Sequence, residues 1–347
     1  MKAVLLTEFG SSANFYDAHI DLPEPGPGEV RIRVMAAGFD PIDRRRRVGA
    51  LGGNLPLVIG TECSGSVDAV GEGVEGLAVG DRVFSYLDGP RSNGCYAEAL
   101  CVNEYFAAKI PEDLDWDAAA ALPMVGLTMI DALEHKAHVR SGETVLLGGS
   151  AGGTSAMAYL WLKTHAPEKI LVLAINKGAR LFFENVVGTP PEDIIDVPGL
   201  SYEEVVHLVR VKTGGRGVTL SLDFVGSQMK KIALYSLDYD GRMVSTTDDF
   251  GMPITEIFSA REPLFRRSAS ITMSNIGARA RRGGVEDWKW YRSSLEDLAA
   301  RWEREDVPMV PFRVLGGLSR ETVVEAHELM DRGRAYGKLI MHVGEAQ

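Results

Sequence analysis

The sequence predicts an α/β protein that combines a small β barrel with a doubly wound parallel sheet. Two observations predict this fold class. Up to about Pro111, the chain consists of short β-type runs separated by glycine-rich turns, a spacing typical of small barrels. From there to about Ser274, short buried strands alternate with helical segments, which indicates a parallel sheet with helices on both faces.

The barrel is predicted from strands in which apolar and polar residues alternate. The run EVRIRVMA alternates clearly, and the LPEPGPGE before it is too rich in proline and glycine for regular structure. The expected strands of this part are Met1–Leu6, Glu29–Ala36, Cys63–Val70, Asp81–Phe84, Tyr96–Val102 and Phe106–Ile110. The end of the chain returns to this pattern, with a strand at Pro311–Leu315, a helix at Arg320–Arg332 and a strand at Lys338–Val343.

The parallel sheet is predicted from apolar runs that lie between helical segments. The expected order is helices at Asp115–Leu122 and Val125–Lys136, a strand at Thr144–Gly149, a helix from Gly153 to His165, and strands at Lys169–Ile175, Thr219–Asp223 and Gly241–Thr246. The first two strands are almost continuously apolar. Such strands are typical of sheets that are buried on both faces.

Composition excludes several classes of protein. The 347 residues are 45% hydrophobic and carry a net charge of −11, so the chain is globular and is not expected to bind nucleic acid or anionic membranes. The longest weakly polar run, Ala118–Leu133, is broken by Pro123, Gly126 and Asp131 and is too short to span a bilayer. The amino-terminal segment lacks the pattern of a secretory signal.

The cysteines indicate a reducing compartment. Cys63, Cys95 and Cys101 are an odd number with no tight pairing, so a cytoplasmic location is expected. Three thiols cannot form a four-cysteine structural zinc site, and no metal is predicted.

A glycine-rich turn after the first strand of the parallel sheet is the main functional signal. The segment TVLLGGSAGGTSAMAYLWL runs from a strand through Gly148, Gly149, Gly152 and Gly153 into a helix. Glycines let the backbone approach a pyrophosphate closely, and the helix N-terminus offers free N–H groups and a positive dipole end. Nucleotide binding is therefore predicted. Ser155 stands where glycine or alanine is usual, so the helix is expected to pack slightly further from the strand.

The end of the second strand favours NADPH over NADH. An NAD site usually has a carboxylate about 20 residues after the glycine loop, but this strand ends in INKGAR and has no acid there. Asn176 can hydrogen-bond to a ribose phosphate, and Lys177 and Arg180 can neutralise it. The alternative is a helix start that carries two solvated cations.

The same loop also fits a hydrolase motif. Gly148-x-Ser150-x-Gly152 matches a nucleophile elbow, with Ser150 as the nucleophile and a downstream histidine such as His207 or His327 as its partner. A hydrolase of that fold needs several sheet strands before the elbow. The preceding residues predict a barrel instead, so this alternative is remote.

Motifs along nearly the whole chain carry a resemblance to a known family. They are EPGPGEVRIRVMAAGFDPID, PLVIGTECSGSVDAVGEGVEGLAVGDRVF, GCYAEALCV, AAALPMVGLTMIDAL, TGGRGVTLSLDFVG, DGRMVS and GKLIMHV. The chain resembles the medium-chain dehydrogenase/reductase superfamily, specifically its zinc-independent quinone oxidoreductase and enoyl reductase branch. The resemblance implies a discontinuous GroES-like catalytic domain of residues 1–122 and 278–347 and a Rossmann domain of residues 123–277.

The resemblance also implies which residues contact the cofactor. Thr128 would lie near the nicotinamide. The other implied contacts are Gly149, Gly152, Gly153 and Thr154 at the pyrophosphate, with Gly226, Ser245, Ser274 and Asn275 on loops that follow later strands.

The resemblance implies a reaction without zinc. Zinc-dependent members have cysteine where Asp40 stands and histidine where Thr61 stands, and threonine is a poor substitute for an imidazole ligand. The expected reaction is hydride transfer from NADPH to the β-carbon of an enone, quinone or enoyl thioester. The alternative is a cofactor-binding protein whose redox chemistry is lost or altered.

Candidate catalytic groups remain open at this stage. Asp40 stands where quinone reductases usually have asparagine, and the tyrosines that relatives carry a few residues later are absent. The proton for the product would come from solvent or from another group such as Tyr86 or Tyr96.

Two arginine clusters suggest an anionic substrate. Arg46 and Arg47 lie in DPIDRRRRVG, and Arg279 and Arg281 lie in NIGARARRGG. Two basic clusters in an acidic chain favour a substrate bound to CoA or a carrier protein, with a capped helix end and a solvated loop as the alternative. Nearby, Trp288 and Tyr291 share a helical face that could line a pocket. The resemblance also implies a homodimer that pairs through the strand Ser270–Ser274.

Overall fold

The computed structural model describes residues 1–87, 94–149, 151–249, 257 and 263–344. The chain forms two compact units, one of Met1–Leu127 with Gly277–Gln347 and the other of Thr128–Ile276. The first unit consists mainly of antiparallel strands, and the second contains a parallel sheet flanked by helices. The predicted fold class is therefore confirmed.

The predicted strands occur in the predicted order, together with short strands that were not predicted. They are β1 (Lys2–Leu6), β2 (Phe15–His19), β3 (Glu29–Phe39), β4 (Leu57–Val58), β5 (Glu62–Val70), β6 (Arg82–Tyr86), β7 (Ala99–Asn103), β8 (Ala107–Lys109), β9 (Thr144–Gly149), β10 (Lys169–Ala174), β11 (Ile194–Asp196), β12 (Val218–Asp223), β13 (Leu237–Ser245), β14 (Ser270–Met273), β15 (Phe312–Gly317) and β16 (Lys338–His342).

The helices connect and flank these strands. They are α1 (Pro41–Arg47), α2 (Trp116–Ala120), α3 (Pro123–Met129), α4 (Gly153–Thr164), α5 (Lys177–Phe182), α6 (Tyr202–Lys212), α7 (Ser227–Tyr235), α8 (Pro263–Arg266), α9 (Gly277–Arg282), α10 (Val285–Glu303) and α11 (Arg320–Asp331). The segments Ile130–Ala137 and Phe183–Val187 continue α3 and α5 as π-helical turns.

The first unit is organised around β3. One sheet has the strand order β15-β16-β3-β5-β6-β8, with β7 also paired to β3, and a smaller sheet has the order β2-β1-β4. Alternate residues of β3, namely Val30, Ile32, Val34 and Ala36, are fully buried. This alternation is what makes the strand recognisable in the sequence, and it places its apolar face in the core.

The second unit is built on a parallel sheet with the order β11-β10-β9-β12-β13-β14. The central strand β9 is buried along its whole length. Helices cover it with side chains such as Val205 of α6 and Ile232 of α7, which pack in one core with Leu146 and Leu171 of the sheet. All the strands run in the same direction, so their carboxyl ends lie along one edge of the sheet.

Short, exposed strands were not predicted. Three of the five residues of β2 are exposed. β4 has two residues and β11 has three, so none of these strands has a clear pattern of apolar and polar residues. The predicted helix Val125–Lys136 is present as α3 and its π-helical continuation. Apolar spacing alone does not separate these two helix types.

The described residues also bear on two predictions from composition. None of the helices in these ranges has both the length and the apolar character needed to cross a membrane. All three cysteines are buried and form no disulfide. Burial raises the pKa of each thiol, that of Cys101 to about 12, so the thiols stay protonated at neutral pH.

Candidate functional site

The predicted cofactor residues gather at the carboxyl edge of the parallel sheet. Gly149 ends β9, Ser245 ends β13, and Asn176 follows β10. The remaining members are Gly152, Gly153 and Thr154 at the start of α4, Lys177 and Arg180 in α5, Gly226 before α7, and Ser274 and Asn275 after β14. Ligands of doubly wound sheets bind at this edge, so the arrangement fits a nucleotide.

The glycine loop brings β9 and α4 into close contact. Gly152 is the N-cap residue of α4, so the first free N–H groups of this helix lie directly after the strand. A side chain at Gly149 would place its Cβ 2.2 Å from Ser155 Oγ, and Ser155 is buried. Gly149 therefore leaves the space that the side chain of Ser155 occupies. Ser150, the nucleophile of the hydrolase alternative, lies outside the described residues.

The cations after β10 differ in their availability. Asn176 Oδ1 accepts a hydrogen bond from the Ala179 N–H at 2.8 Å, so this oxygen caps α5. Arg180 pairs with Asp196 at 2.9 Å, so its guanidinium already has a carboxylate partner, and its role at a phosphate stays a prediction. Lys177 is exposed and forms no ion pair with a described residue, so it is the better candidate for an anionic ligand.

Asp223 was not predicted, although it organises the loops at this edge. The residue is fully buried at the end of β12. Its Oδ1 accepts from the Gly226 N–H at 2.8 Å, and its Oδ2 accepts from the Ser245 hydroxyl at 2.7 Å. The signal for it was present in the sequence, as an acid that directly follows a buried strand in the LDFVG segment.

Three groups complete the Asp223 cluster. The Thr247 hydroxyl donates to Asp223 Oδ2 at 3.2 Å, and the ammonium of Lys230 donates to the Thr247 carbonyl at 2.7 Å. Burial lowers the pKa of Lys230, and Asp223 opposes that shift. Gly226 has a φ of +83°, and a Cβ there would lie 2.9 Å from Thr247 Oγ1. This loop therefore requires glycine, as expected for backbone that approaches a ligand closely.

Two other predicted cofactor residues are buried. The Ser274 hydroxyl donates to Asp131 Oδ2 at 2.7 Å, which ties the end of β14 to the π-helical turn after α3. Thr128 is 8% exposed and lies one residue before the end of α3.

The first unit contains a buried charged cluster at Asp40. The ammonium of Lys338, at the start of β16, lies 2.6 Å from Asp40 Oδ1 and also pairs with Glu62. Glu62 Oε2 accepts from the Met124 N–H at 2.7 Å. All three charged side chains are at most 3% exposed, so the cluster is isolated from solvent.

A second row of polar groups lies beside this cluster. Asp43 accepts hydrogen bonds from the Asp40 N–H at 2.9 Å and from the Thr61 hydroxyl. The Tyr96 hydroxyl lies 3.3 Å from Asp43 Oδ2 and 3.5 Å from His327 Nε2. Lys338 was missed because its partners Asp40 and Glu62 are distant in the sequence.

Burial controls the protonation of these groups. Burial and the neighbouring Asp40 raise the pKa of Asp43 to about 6 and that of Glu62 well above its usual value. Burial disfavours the ammonium of Lys338, but Asp40 and Glu62 outweigh it and raise its pKa. Because of this burial and the nearby charge of Asp40, Asp43 and Glu62 keep their protons to a higher pH than ordinary carboxylic acids do.

The donor set at Asp40 does not fit a resident zinc ion. The positions that the resemblance equates with zinc ligands hold a carboxylate and a hydroxyl, and Asp40 is already neutralised by Lys338. Within the described ranges, no group of three or more histidine, cysteine or acidic residues is arranged to hold a metal. The ammonium of Lys338 therefore pairs with the carboxylate at a position where a zinc-dependent enzyme needs a metal ligand.

Neither predicted tyrosine presents an accessible hydroxyl. Tyr96 is fully buried, and burial, followed by Asp43, raises its pKa. Tyr86 is 2% exposed and stacks on Tyr291 with ring centroids 5.5 Å apart. Tyr291 is itself fully buried and accepts from the Ala280 N–H at 2.8 Å. The proposed pocket lining by Tyr291 is therefore corrected to helix packing, and both tyrosines are poor proton donors to a substrate.

The arginine clusters are only partly available to a ligand. Arg47 is 3% exposed, pairs with both oxygens of Asp331 at 2.8 Å and contacts the Gly10 carbonyl, so its predicted role in substrate binding is wrong. Arg46 is partly exposed and Arg281 is exposed. Arg279 lies 4.7 Å from the ring centre of Trp290, a cation–π contact that orients its guanidinium.

Comparisons with known proteins agree with this architecture. The family model for the alcohol dehydrogenase GroES-like domain matches residues 26–112. A quinone oxidoreductase from Pseudomonas aeruginosa is 33% identical over 235 residues, which cover 67% of this chain and 69% of that protein. The chain belongs to the quinone oxidoreductase family. The resemblance to the zinc-independent branch of the medium-chain dehydrogenase/reductase superfamily is thereby confirmed.

Two further proteins are similar to this chain. A mycobacterial protein solved in complex with NADPH has a TM-score of 0.82 and 26% identity, and the match covers 99% of both chains. The synaptic vesicle membrane protein VAT-1 homolog-like of Mus musculus is 38% identical over 155 residues, or 44% of this chain. That match spans only 36% of the length of the mouse protein.

Proposed function

We propose that the protein is an NADPH-dependent oxidoreductase that reduces an activated C=C bond in an enone, a quinone or an enoyl thioester. The observation that carries the proposal is the buried Asp40–Lys338 pair, at a position where zinc-dependent relatives would need metal ligands. If no metal polarises the substrate, the acceptor of the hydride should be a carbon that a conjugated carbonyl group already polarises. Family membership and the loops at the sheet edge support the choice of NADPH.

The residues of this chain would bind and orient the cofactor. When bound, NADPH would supply the hydride for the β-carbon, and solvent would supply the proton that completes the reduction. The free N–H groups of α4 would hold the pyrophosphate, and Lys177 would neutralise the ribose phosphate. Asp223 would hold Gly226 and Ser245 in place beside the cofactor.

The experiment that tests this proposal is a paired titration with NADPH and NADH, read by quenching of the five tryptophans. We expect NADPH to bind tightly and NADH to bind weakly. We also expect the bound NADPH to be oxidised when an enone, quinone or enoyl thioester is added. Binding without oxidation by any of these acceptors would favour a cofactor-binding protein instead. If neither nucleotide bound, the proposal would fail.

Lys177→Ala is expected to weaken NADPH binding about tenfold, or about 1.4 kcal/mol, and to leave NADH binding unchanged. The reason is that only NADPH carries the additional phosphate that an exposed cation after β10 can neutralise. Lys163→Ala is the matched control, because Lys163 is exposed in the last turn of α4, at the opposite end of that helix from the glycine loop. Equal effects of the two variants would contradict the assignment of Lys177.

Tyr86→Phe and Tyr96→Phe are each expected to retain kcat within about threefold, because a buried hydroxyl cannot reach the substrate and solvent would deliver the proton. Steady-state NADPH oxidation by an enone measures this. A loss of about a hundredfold or more in either variant, with the fold intact by circular dichroism, would identify that tyrosine as the donor.

The substrate class and the assembly are parts of the same proposal. Arg46 and Arg281 would attract the phosphates of CoA or of a carrier protein. A kcat/KM that is higher for enoyl-CoA than for the free enone, with the difference lost at high salt, would support this.

A homodimer would form through β14, the edge strand of the parallel sheet. Sedimentation velocity distinguishes a dimer from a monomer. A cytoplasmic location is also proposed.

A further inference from the structure

Lys338 holds two buried carboxylates that belong to different elements of the first unit. Its side chain is 3% exposed, and its ammonium contacts Asp40 Oδ1 at 2.6 Å and pairs with Glu62. Asp40 Oδ2 has no hydrogen-bond partner among the described residues. The ammonium is therefore the main compensation for the buried charge of Asp40.

Each of the two carboxylates is attached to the start of a helix. Asp40 is the N-cap residue of α1, the helix that carries Arg46, and its N–H donates to Asp43 in the first turn. Glu62 Oε2 accepts from the N–H of Met124, in the first turn of α3, at 2.7 Å. The same α3 carries Thr128 near its end. One ammonium thus holds the side chain of the N-cap residue of α1 and the carboxylate that accepts from the first turn of α3.

We propose that Lys338 is a positioning residue of the reductase, which fixes the starts of α1 and α3 by holding Asp40 and Glu62. This inference rests on the proposed function, because it gives Arg46 and Thr128 their roles. A neutral side chain at this position would leave buried carboxyl groups without a counter-charge, and the two helix starts would then loosen. The site needs a cation in this place, and a side chain that only filled the space would not suffice.

The test is Lys338→Ala in the full-length protein, read by amide hydrogen exchange and by kinetics. Exchange is expected to become about tenfold faster in peptides that cover residues 41–47 and 123–129. We expect kcat to fall about tenfold to a hundredfold, because small displacements of positioning groups are costly, while the Kd for NADPH stays within about threefold. Lys109→Ala is the control, because Lys109 is an exposed lysine that pairs with Asp81 in the same unit.

Chemical rescue separates the role of the charge from that of the volume. Propylammonium replaces the atoms that Lys338→Ala removes and is expected to restore both slow exchange and kcat, whereas 1-propanol of similar size is expected to restore neither. Equal rescue by the alcohol would overturn the proposal, because a filled cavity would then be sufficient. The proposal would also be overturned if Lys338→Ala had the same exchange rates and the same kcat as the unmodified protein.

Two further variants keep the test decisive if Lys338→Ala does not fold. Glu62→Gln is expected to speed exchange only at residues 123–129, and Asp40→Asn only at residues 41–47. Exchange that changes in neither peptide, or equally in both, would contradict the separate attachments. If none of the enone, quinone or enoyl thioester acceptors supports oxidation of NADPH by the unmodified protein, the proposed function fails. The exchange results would still decide whether Lys338 holds the two helices.

Discussion

Asp223→Ala is expected to lower the free energy of unfolding by about 3–5 kcal/mol, because it removes a buried carboxylate that faces a buried ammonium. Lys230 Nζ lies 3.9 Å from Asp223 Oδ2, and the two side chains are 2% and 0% exposed. The substitution also removes the acceptor for the Gly226 N–H and for the hydroxyl of Ser245. Urea unfolding measures the loss, and NADPH binding should weaken in parallel because the loops after β12 and β13 lose their common anchor.

Two variants show which part of the effect is due to charge. Asp223→Asn keeps one carbonyl acceptor and should lose less stability than Asp223→Ala. Asp223→Ala combined with Lys230→Met removes both charges, so the double variant should recover part of the stability that the single variant loses. If Lys230→Met gave no recovery, the loss would come from the hydrogen bonds to the loop and not from the ion pair.

Between pH 8 and pH 5, His327→Leu is expected to lose about 2 kcal/mol less of its free energy of unfolding than the unmodified protein does. Burial, helped by Arg47 and Arg44, lowers the pKa of His327 from 6.5 to about 3, while Asp331 opposes this shift. The unfolded chain binds a proton at this imidazole below pH 6.5, but the folded protein does not until about pH 3. Stability contributed by the neutral His327 is therefore present above pH 6.5 and is lost as the pH falls.

Leucine is a suitable replacement because it has a similar volume and cannot titrate. His327 packs against Phe15 with ring centroids 4.9 Å apart, so an apolar side chain fits its surroundings. Urea unfolding at pH 8, 6.5 and 5 gives the slope for each protein. His207→Leu is the control for removal of an imidazole, because His207 is exposed on α6. A pH slope that is the same in His327→Leu and the unmodified protein would contradict the prediction.

The sequence predicts those features whose causes are local. Thr144–Gly149 was predicted residue for residue, because a short apolar run that ends in glycines leaves little choice of structure. The residues predicted to contact the cofactor lie together at the sheet edge for the same reason, since loops after parallel strands meet at one edge. The motif resemblance added Thr128 and Ser274, which no local pattern identifies.

The buried charges were not predicted, because their meaning depends on distant partners. Lys338 looks like an ordinary residue at the start of a strand, but its partner Asp40 is 298 residues away. Arg47 looks like one of four equivalent arginines, and only the approach of Asp331 from α11 makes it a buried structural residue. The burial of Tyr86 and Tyr96 was not predicted for the same reason, because burial is set by packing and not by residue type.

The pairing of β16 with β3 has a consequence for the order in which the protein is made. β3 and the carboxylates of Asp40 and Glu62 are translated well before the ammonium that neutralises them, because Lys338 lies 298 residues after Asp40, in the strand β16 that pairs with β3. The segment Thr128–Ile276 is continuous and is synthesised in between. The nucleotide-binding unit can therefore fold during translation, whereas the first unit must wait for Lys338 before its interior charge is balanced.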